Sequence, residues 1–388
     1  MPSRRIQLFF CAAALFLISL WTYPAILRSF STLRSFTLTT LNPRPSVDPR
    51  ETLNVFDHIY VISRSVRNDR RTTMEQLRSA LGLRWAYVDA TEFTDPSIAR
   101  KAQCVRDVRA HALQATIDWP SVEDLEAWDD NLSRLRGPPP PGSPEPFCPP
   151  WETPSSDPSA QQTPLTCAER DSALGVPWSE DLRDHQIMTL AKIACYTSHM
   201  DAVERFIQSG GEAGLILEDD VDMESDIHER LSGLWQTLPA DWDMVWLGES
   251  LLVQRDPPPR RPRPAPRADA PNALHPSTHP LCTHAYALSR AGARRLRAHF
   301  RFPPFAYGRA FDQAAGWLAE RGDRLRSYTV VPPLVVQAKV SLSDLDRGDD
   351  GLGSAWRDTL DDGVLARIWA AEARAAAEGE GAAFDDLG

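Results

Sequence analysis

The sequence has little of what marks several large functional classes. Its formal net charge of −11 argues against a nucleic-acid binder, because phosphate binding needs a basic face. None of its six cysteines stands in a C-x-x-C pair, which argues against a zinc ribbon. The P-loop pattern and the G-x-S-x-G elbow are both absent, so neither P-loop phosphoryl transfer nor Ser/His/Asp hydrolysis is supported. A hydrophobic content of 42% still permits a substantial core.

The longest uncharged apolar run lies near the N-terminus. Residues 6–27 read IQLFFCAAALFLISLWTYPAIL, about the length that a helix needs to span a bilayer. Arg4 and Arg5 precede this run and favour a cytosolic N-terminus, although the arginines behind it weaken the charge asymmetry. We predict a type II signal anchor, with residues 1–5 in the cytosol and the rest of the chain in the secretory lumen. A cleaved signal peptide is the alternative.

Two features agree with a lumenal address. Asn131-Leu132-Ser133 is an acceptor triplet for N-glycosylation, although such triplets are common by chance. The five cysteines outside the apolar run allow two disulfides and one free thiol in an oxidising compartment. Cys148 with Cys167 is the first candidate pair, because both lie in a proline-rich loop region.

The first folded segment has the pattern of a β-α-β unit. After a Ser/Thr/Pro-rich stem over 28–52, residues 56–65 predict a strand, 68–82 predict a helix that stops at a glycine, and 83–92 predict a second strand. Strand, helix and strand with short connections imply a parallel sheet.

Two proline-rich stretches interrupt the rest of the chain. Residues 97–180 and 253–280 predict loops, because proline removes amide donors and fixes φ. Between and after these stretches the pattern predicts further core elements. The helices are expected over 189–211, directly after residue 289 and from 311. The strands are expected over 214–217, 242–250, 284–289 and 328–337. Residues 346–388 are an acidic, Ala-rich tail, at best a surface helix.

The segment GLILEDDVDM, residues 214–223, places four carboxylates directly after an apolar strand. Glu218, Asp219, Asp220 and Asp222 resist ionising side by side unless a positive group compensates them. Oxygen ligands of this kind suit Mn²⁺ or Mg²⁺ with open positions for phosphate, and the carboxyl end of a strand is where open α/β sheets bind ligands. The alternative is that an aspartate merely caps the following turn.

Several segments resemble glycosyltransferase family 25 in order and spacing. They are YVISRSVRNDRR, ACYTSHMDAVERF, LILEDDVDM, DMVWLGES, AYALSRAGARRL, FDQAAGWL and PPLVVQ. The resemblance covers about residues 55–95 and 185–345 and implies a GT-A-like nucleotide-diphospho-sugar transferase fold. Together with the β-α-β unit and the apolar run, it predicts an α/β domain over residues 53–345 with a mostly parallel sheet flanked by helices, and an N-terminal transmembrane helix in front of it. It also implies a UDP-sugar donor, a divalent cation (Mn²⁺ or Mg²⁺) and inversion at the anomeric carbon.

The resemblance assigns roles residue by residue. Glu218, Asp219 and Asp220 match the metal and diphosphate motif, with Asp222 beside it as a further ligand. The residues that it implies for donor binding are Arg64, Arg70, Asp89, Ser198 and His199. The bland alternatives are a surface arginine for Arg70, a turn cap for Asp89 and a core histidine for His199.

An inverting transfer needs a base that takes the proton of the acceptor hydroxyl. Asp312, at the start of a helix in the later half of the chain, is the first candidate, and Glu249, after the strand that ends in Leu247-Gly248, is the second. Asp312 could instead be only a helix cap.

The sequence therefore predicts a metal-dependent inverting glycosyltransferase of the Golgi or endoplasmic reticulum membrane. It would transfer a hexose, typically galactose in this family, from a UDP-sugar to a glycan or glycoprotein hydroxyl. The alternative is a catalytically inactive GT-A-like lumenal protein that serves in binding or adhesion.

Overall fold

The structure is a computed structural model that describes residues 48–136, 163–248, 272–278, 280–338 and 360–385. All of these belong to a unit that extends from Asp48 to Gly388. The predicted cytosolic segment, the apolar run and most of the stem lie outside the described residues, and so does Glu249.

The described residues form nine strands and eight α-helices. The strands are β1 His58–Ser63, β2 Ala86–Asp89, β3 Ala213–Glu218, β4 Val221–Met223, β5 Met244–Trp246, β6 Ala273–Pro276, β7 Ala285–Ser289, β8 Ser327–Val331 and β9 Val335–Gln337. The helices are α1 Asn68–Leu81, α2 Pro96–Ala110, α3 Val122–Arg136, α4 Leu190–Ser209, α5 Ile227–Trp235, α6 Arg290–Arg301, α7 Phe311–Glu320 and α8 Val364–Asp385.

Local sequence explains where the helices next to the site begin and end. Gly82 follows α1 with a φ of 62°, and Gly210 follows α4 with a φ of 74°, the left-handed conformation that glycine adopts without strain. The Thr189 hydroxyl caps the start of α4 by accepting the Lys192 amide, and Ser289 caps α6 in the same way through Gly292.

A seven-stranded sheet lies at the centre, in the order β2-β1-β3-β7-β5-β8-β6. β1 pairs in parallel with β2 and β3, and β5 pairs in parallel with β8. β7 runs antiparallel to both β3 and β5, and β6 runs antiparallel to β8. β4 and β9 form a separate antiparallel pair.

The structure is α/β, as predicted, but the prediction is wrong in two other respects. The sheet is mixed rather than mostly parallel, because β7 inserts antiparallel between β3 and β5; strand direction depends on how distant segments connect, which hydrophobic periodicity does not encode. The N-terminal transmembrane helix is not supported either: within the described ranges every helix is too short or too polar to cross a bilayer. The run over 6–27 that suggested it lies outside those ranges.

Helices cover both faces of the sheet. Along β1, Tyr60 and Ile62 point into one core cluster, whereas Ile59 and Val61 point into the other. The first cluster includes buried residues of α2, α4, α6 and α7, and the second includes buried residues of α1, α5 and α8. The alternation along a single strand thus places α1 and α4 on opposite sides of the sheet edge that carries the acidic turn.

The first predicted insertion is partly helical. α2 and α3 occupy residues for which the proline-rich pattern predicted loops, and Ile98, Val105 and Leu125 are buried. Asp95 caps α2, and the proline at the first helical position suits a helix start, so the local signal was present but was overlooked beside the proline-rich residues that follow.

The cysteines differ from the suggested pairing. Cys104 is disulfide-bonded, whereas Cys167 is a free, buried thiol. The pairing of Cys148 with Cys167 is therefore wrong.

Candidate functional site

The acidic turn connects the central sheet to the small β4–β9 pair. Glu218 is the last residue of β3, and Asp219 and Asp220 form the turn before β4. The side chains of both aspartates are more than nine-tenths buried, so water cannot screen their charges. The site must supply compensating groups from other elements.

Arg70 supplies the positive charge that the acidic run requires. It lies in the first turn of α1, and its Nη1 is 2.7 Å from Asp219 Oδ1 and 3.2 Å from Asp220 Oδ2. Burial lowers the pKa of Arg70, but Asp220 and Asp219 together outweigh burial and hold that pKa above its usual value. A guanidinium group thus takes the place that the sequence assigned to a metal ion alone.

Glu218 is held by two donors other than Arg70, namely His199 and Thr283. Its Oε1 is 3.4 Å from His199 Nε2 and 3.3 Å from the Thr283 hydroxyl. Burial raises the pKa of Glu218, but the hydrogen bond and charge of His199 outweigh it, so the pKa lies below its usual value.

His199 is a core residue that also reaches the site. It is 1% exposed, its ring stacks on Phe311 with 4.3 Å between centroids, and its Nδ1 is 3.1 Å from the Tyr286 hydroxyl. His199 is therefore a buried core residue that also contacts Glu218, and its part in donor binding stays a prediction.

The negative charge of the turn is not fully compensated. Burial raises the pKa of Asp220 to about 7, with Glu218 adding to this effect and Arg70 opposing it. Gln337 at the end of β9 donates weakly to Asp220, with 3.3 Å between Nε2 and Oδ2. The turn can therefore accept a further positive charge.

Asp222 has a different role from its neighbours. Its carboxylate accepts the backbone amides of Met223, Leu365 and Ala366 at 2.8, 2.9 and 3.2 Å. It thereby caps the first turn of α8 and is absent from the cleft wall described next.

An open cleft lies over the acidic turn, between α1 and α4. Seven of the sequence-predicted residues line it, namely Arg64, Arg70, Ser198, His199, Glu218, Asp219 and Asp220. Residues that the sequence did not single out complete the wall, among them Thr91, Phe93, Cys195 and Gln337. Gln337 could have been found, because it ends the segment PPLVVQ that carried the resemblance.

Two contacts fix the cleft wall on the β1–β2 side. Arg64 pairs with Glu92 at 2.6 Å, and both side chains are partly exposed. The Ser198 hydroxyl accepts the Thr91 amide at 2.9 Å and donates to the Ala194 carbonyl at 2.8 Å, which ties α4 to the loop after β2.

Asp89 is not brought into the cleft. It ends β2, its side chain is 70% exposed, and it pairs with Arg71 at 2.6 Å. Asp89 thus pairs with Arg71, which directly follows the cleft residue Arg70 in α1.

Asp312 lies beside the cleft rather than on its wall. It stands in the first turn of α7, where its Oδ1 accepts the Gln313 amide at 2.8 Å. Burial raises its pKa and Glu218 raises it further, so the two carboxylates are within electrostatic reach of each other. Cys195 of the cleft wall is within reach of both, since each also raises the pKa of that thiol.

The carboxylates fit a divalent cation only in part. Within the described ranges, no group of three or more His, Cys, Asp and Glu side chains is arranged to hold a metal ion. Asp222 is occupied by amides, and Glu218 is held by His199 and Thr283. Asp219 and Asp220 remain, and Mg²⁺-like cations are commonly bound by one or two carboxylates together with substrate phosphates.

Comparison with known proteins matches part of the chain that forms this site. A family described as "Glycosyltransferase family 25 (LPS biosynthesis protein)" matches residues 166–258, which include α4, β3 and the acidic turn. Over this part of its length the chain resembles glycosyltransferase family 25. The matched part of the chain contains Ser198, His199 and the carboxylates but neither Arg70 nor Asp312.

The curated relatives of this chain include a protein named as a procollagen galactosyltransferase and proteins named as inactive. The chain is 29% identical over 126 residues to inactive glycosyltransferase 25 family member 3 of Homo sapiens, covering 32% of this chain and 20% of that protein. It is 25% identical over 135 residues to procollagen galactosyltransferase 1 of Danio rerio, covering 33% and 21%. The chain thus spans about a fifth of the length of the curated relatives it matches.

Proposed function

We propose that this protein is an inverting glycosyltransferase that moves a hexose, galactose in the first instance, from a UDP-sugar to a hydroxyl of a glycan or glycoprotein. One observation carries the proposal. Arg70 of α1 meets the turn residues Asp219 and Asp220 in a cleft at the carboxyl ends of the parallel strands β1 and β3. Open α/β sheets bind their ligands at this edge.

The donor diphosphate is proposed to lie in the cleft against Arg64 and Arg70. Guanidinium groups bind phosphate oxygens through two parallel hydrogen bonds, which makes arginine well suited to a diphosphate. Both arginines are held in place by carboxylates, Arg64 by Glu92 and Arg70 by Asp219. The cleft is therefore ordered before the donor binds, which reduces the entropy that binding costs.

Asp219 and Asp220 are the residues that would hold a divalent cation, Mn²⁺ or Mg²⁺. The uncompensated charge of the turn, seen in the raised pKa of Asp220, supports this part of the proposal. When bound, such a cation would supply positive charge to the leaving diphosphate. Glu218 is proposed to shape this site through His199 rather than to complete a cage of four carboxylates.

Asp312 is proposed as the base of the transfer. The acceptor oxygen attacks the anomeric carbon, the bond from that carbon to the diphosphate breaks, and the acceptor proton passes to the Asp312 carboxylate. Its proximity to Glu218 and Cys195 places Asp312 beside the donor cleft, and its raised pKa brings it nearer to neutral pH, as a base requires.

We further propose that the enzyme works in the secretory lumen, in the Golgi or endoplasmic reticulum. Disulfides persist in oxidising compartments and are rare in the cytosol, and Cys104 is disulfide-bonded. Asn131, the acceptor of the predicted glycosylation triplet, is exposed on α3.

The test is release of UDP by the full chain from a panel of UDP-hexoses, first with Mn²⁺ and then with EDTA. We expect release from one donor, its loss in EDTA, and at least a hundredfold loss in Asp219→Asn/Asp220→Asn. Asp89→Asn, outside the cleft, is the matched control and should release UDP at the wild-type rate. Asp312→Asn should bind the donor with unchanged affinity but transfer to acceptor at least a hundredfold more slowly.

The second candidate is an inactive binding protein. It is favoured by the names of two relatives, in Homo sapiens and Bos taurus, and by the pairing of both turn aspartates with Arg70. Failure of the full chain to bind any UDP-hexose in calorimetry, with or without Mn²⁺, would overturn the transferase and leave this candidate.

A further inference from the structure

A second cavity adjoins Asp312 and shares no lining residue with the donor cleft. It has a volume of about 360 Å³, within the range of small-molecule sites of roughly 300–1,000 Å³. We call it the α7 pocket. Its wall is formed by Cys167, Ala168, Glu169, Arg170, His185, Gln186, Pro280, Leu281, Arg309, Gln313, Gly316, Trp317 and Glu320.

The α7 pocket adjoins Asp312 through both of its hydrogen-bond partners. Asp312 accepts the backbone amides of Gln313, which lines the pocket, and of Cys282, which directly follows the lining residues Pro280 and Leu281. The donor cleft reaches Asp312 through Cys195. The proposed base therefore adjoins both cavities through neighbouring residues and lines neither.

The charges on the wall balance. Glu169 and Glu320 oppose Arg170 and Arg309, so the wall carries no net charge when the histidine is neutral. The polar residues of this wall share the pocket with the apolar side chains of Leu281 and Trp317. Polar groups that donate and accept beside an apolar surface suit an uncharged polyhydroxylated ligand, since a sugar ring has both kinds of surface.

Arg309 is a buried donor group whose hydrogen bonds are incomplete. It is 1% exposed, it donates to the carbonyl oxygens of Arg170 and Ser172, and its Nε has no hydrogen-bond partner. Within the described ranges no carboxylate forms an ion pair with it. A guanidinium has five N–H groups, and a buried N–H without an acceptor destabilises the protein. A ligand atom that accepts a hydrogen bond from Arg309 would therefore be favoured in the pocket.

The pocket wall is held together before any ligand binds. Gln313 donates to the His185 carbonyl at 2.9 Å, which joins α7 to the segment before α4. A side chain at Gly316 would collide with the Pro280 carbonyl, so the glycine allows α7 to approach the 280–281 segment closely. These two contacts hold α7 against the segment before α4 and against the 280–281 segment.

We propose that the α7 pocket binds the acceptor as a neutral saccharide and presents its hydroxyl to Asp312. This inference rests on the proposed function, since it takes Asp312 as the base and the first cleft as the donor site. The substrate class follows from the pocket: an uncharged sugar unit rather than an acidic one.

The test measures sugar binding directly, without turnover. The probes are the methyl glycosides of glucose, galactose, mannose and xylose, with N-acetylneuraminic acid as the charged probe. Saturation-transfer NMR on the full chain, with and without UDP, should show binding of at least one neutral glycoside and not of the charged sugar. His185→Trp, which fills the pocket from an exposed position, should weaken that binding at least tenfold, and Glu169→Ala should weaken it less.

The matched control is Asp181→Trp, an exposed residue of the same segment outside the pocket, which should bind like the wild type. The assignment is overturned if no neutral glycoside binds, if the charged sugar binds in preference, or if His185→Trp binds like the wild type. A chain that binds the glycoside in this pocket but binds no UDP-hexose would refute the transferase and leave a saccharide site. UDP release with glycoside binding insensitive to His185→Trp would refute the pocket alone.

Discussion

At the scale of single residues, Arg70 decides how the acidic run can exist. Asp219 and Asp220 are buried next to Glu218, and the guanidinium within 2.7 and 3.2 Å of the two aspartates is what permits their burial. The next residue, Arg71, makes a similar contact with Asp89, but Asp89 is 70% exposed and water weakens that pair. Two adjacent arginines thus form pairs of similar geometry in different surroundings.

The two arginines make a matched experiment on stability. Arg70→Ala should lower the free energy of unfolding by about 3–5 kcal/mol, because it leaves buried carboxylates without a partner. Arg71→Ala should lower it by no more than about 1 kcal/mol, the usual range for an exposed pair. Urea unfolding followed by circular dichroism measures both.

A charge-matched variant separates lost charge from lost packing. Arg70→Ala combined with Asp219→Asn and Asp220→Asn should recover part of the lost stability, because the buried charges are removed together. Equal stability of the two single arginine variants would show that Arg70 is not needed to hold the turn.

At the scale of elements, the C-terminal helix is joined to the acidic turn. Asp222 of β4 accepts the Leu365 and Ala366 amides, and Glu224 accepts those of Asp361 and Asp362 at 2.8 and 3.0 Å. The sequence predicted at best a surface helix there, yet Val364 and Leu365 are buried in the core on the β4 side. The Ala-rich composition shows only that a helix can form there. The first turn of α8 is held by Asp222, which is more than a hundred positions away in the chain, so the sequence could not reveal this contact.

Removal of the cap should loosen this helix without closing or opening the cleft. Asp222→Ala leaves buried amides unsatisfied and should cost about 1–3 kcal/mol of unfolding free energy. Limited proteolysis should then cut first within α8, while UDP-hexose affinity stays within about twofold, since Asp222 does not line the cleft.

Asp89→Ala, which removes an exposed carboxylate, is the control. A large loss of donor affinity in Asp222→Ala would instead favour the predicted role of Asp222 as a metal ligand.

At the scale of the whole molecule, a buried histidine makes the fold sensitive to acid. His299 of α6 is completely buried against the Trp119 ring, its Nδ1 lies 2.8 Å from the Arg295 carbonyl, and its Nε2 has no hydrogen-bond partner in the described structure. Burial lowers the pKa of His299 to about 4, and Arg324 and Arg295 oppose its protonation too. Protonation would place an unpaired charge in the core that joins α3, α6 and α7.

The direction in which pH changes the stability follows from the lowered pKa of His299. In the unfolded chain the histidine takes up a proton near pH 6.5, whereas in the folded protein it does so only near pH 4, so the unfolded state binds more protons in between. Stability is therefore complete above pH 6.5 and is lost as the pH falls, by about 2 kcal/mol between pH 7 and pH 5 from this group. Urea unfolding at the two pH values measures the loss, and His299→Gln should remove that part of it; an unchanged pH dependence in this variant would contradict the assignment.

The sequence by itself determined much of the local structure and seven of the residues that line the cleft. Hydrophobic periodicity and glycine or hydroxyl caps placed β1, α1, α4, β3, α6 and α7 to within a few residues, because these signals act over one or two turns. The resemblance placed seven of the residues that line the cleft, since a short motif needs no knowledge of its neighbours in space.

Only the tertiary structure decided which charges meet. The antiparallel insertion of β7, the use of Asp222 as a helix cap, the exposure of Asp89 and the pairing of Arg70 with the acidic turn all join segments far apart in the chain. Whether a carboxylate ends as a ligand, a cap or a surface charge depends on burial and on the nearest donor, and both are set by packing rather than by local pattern.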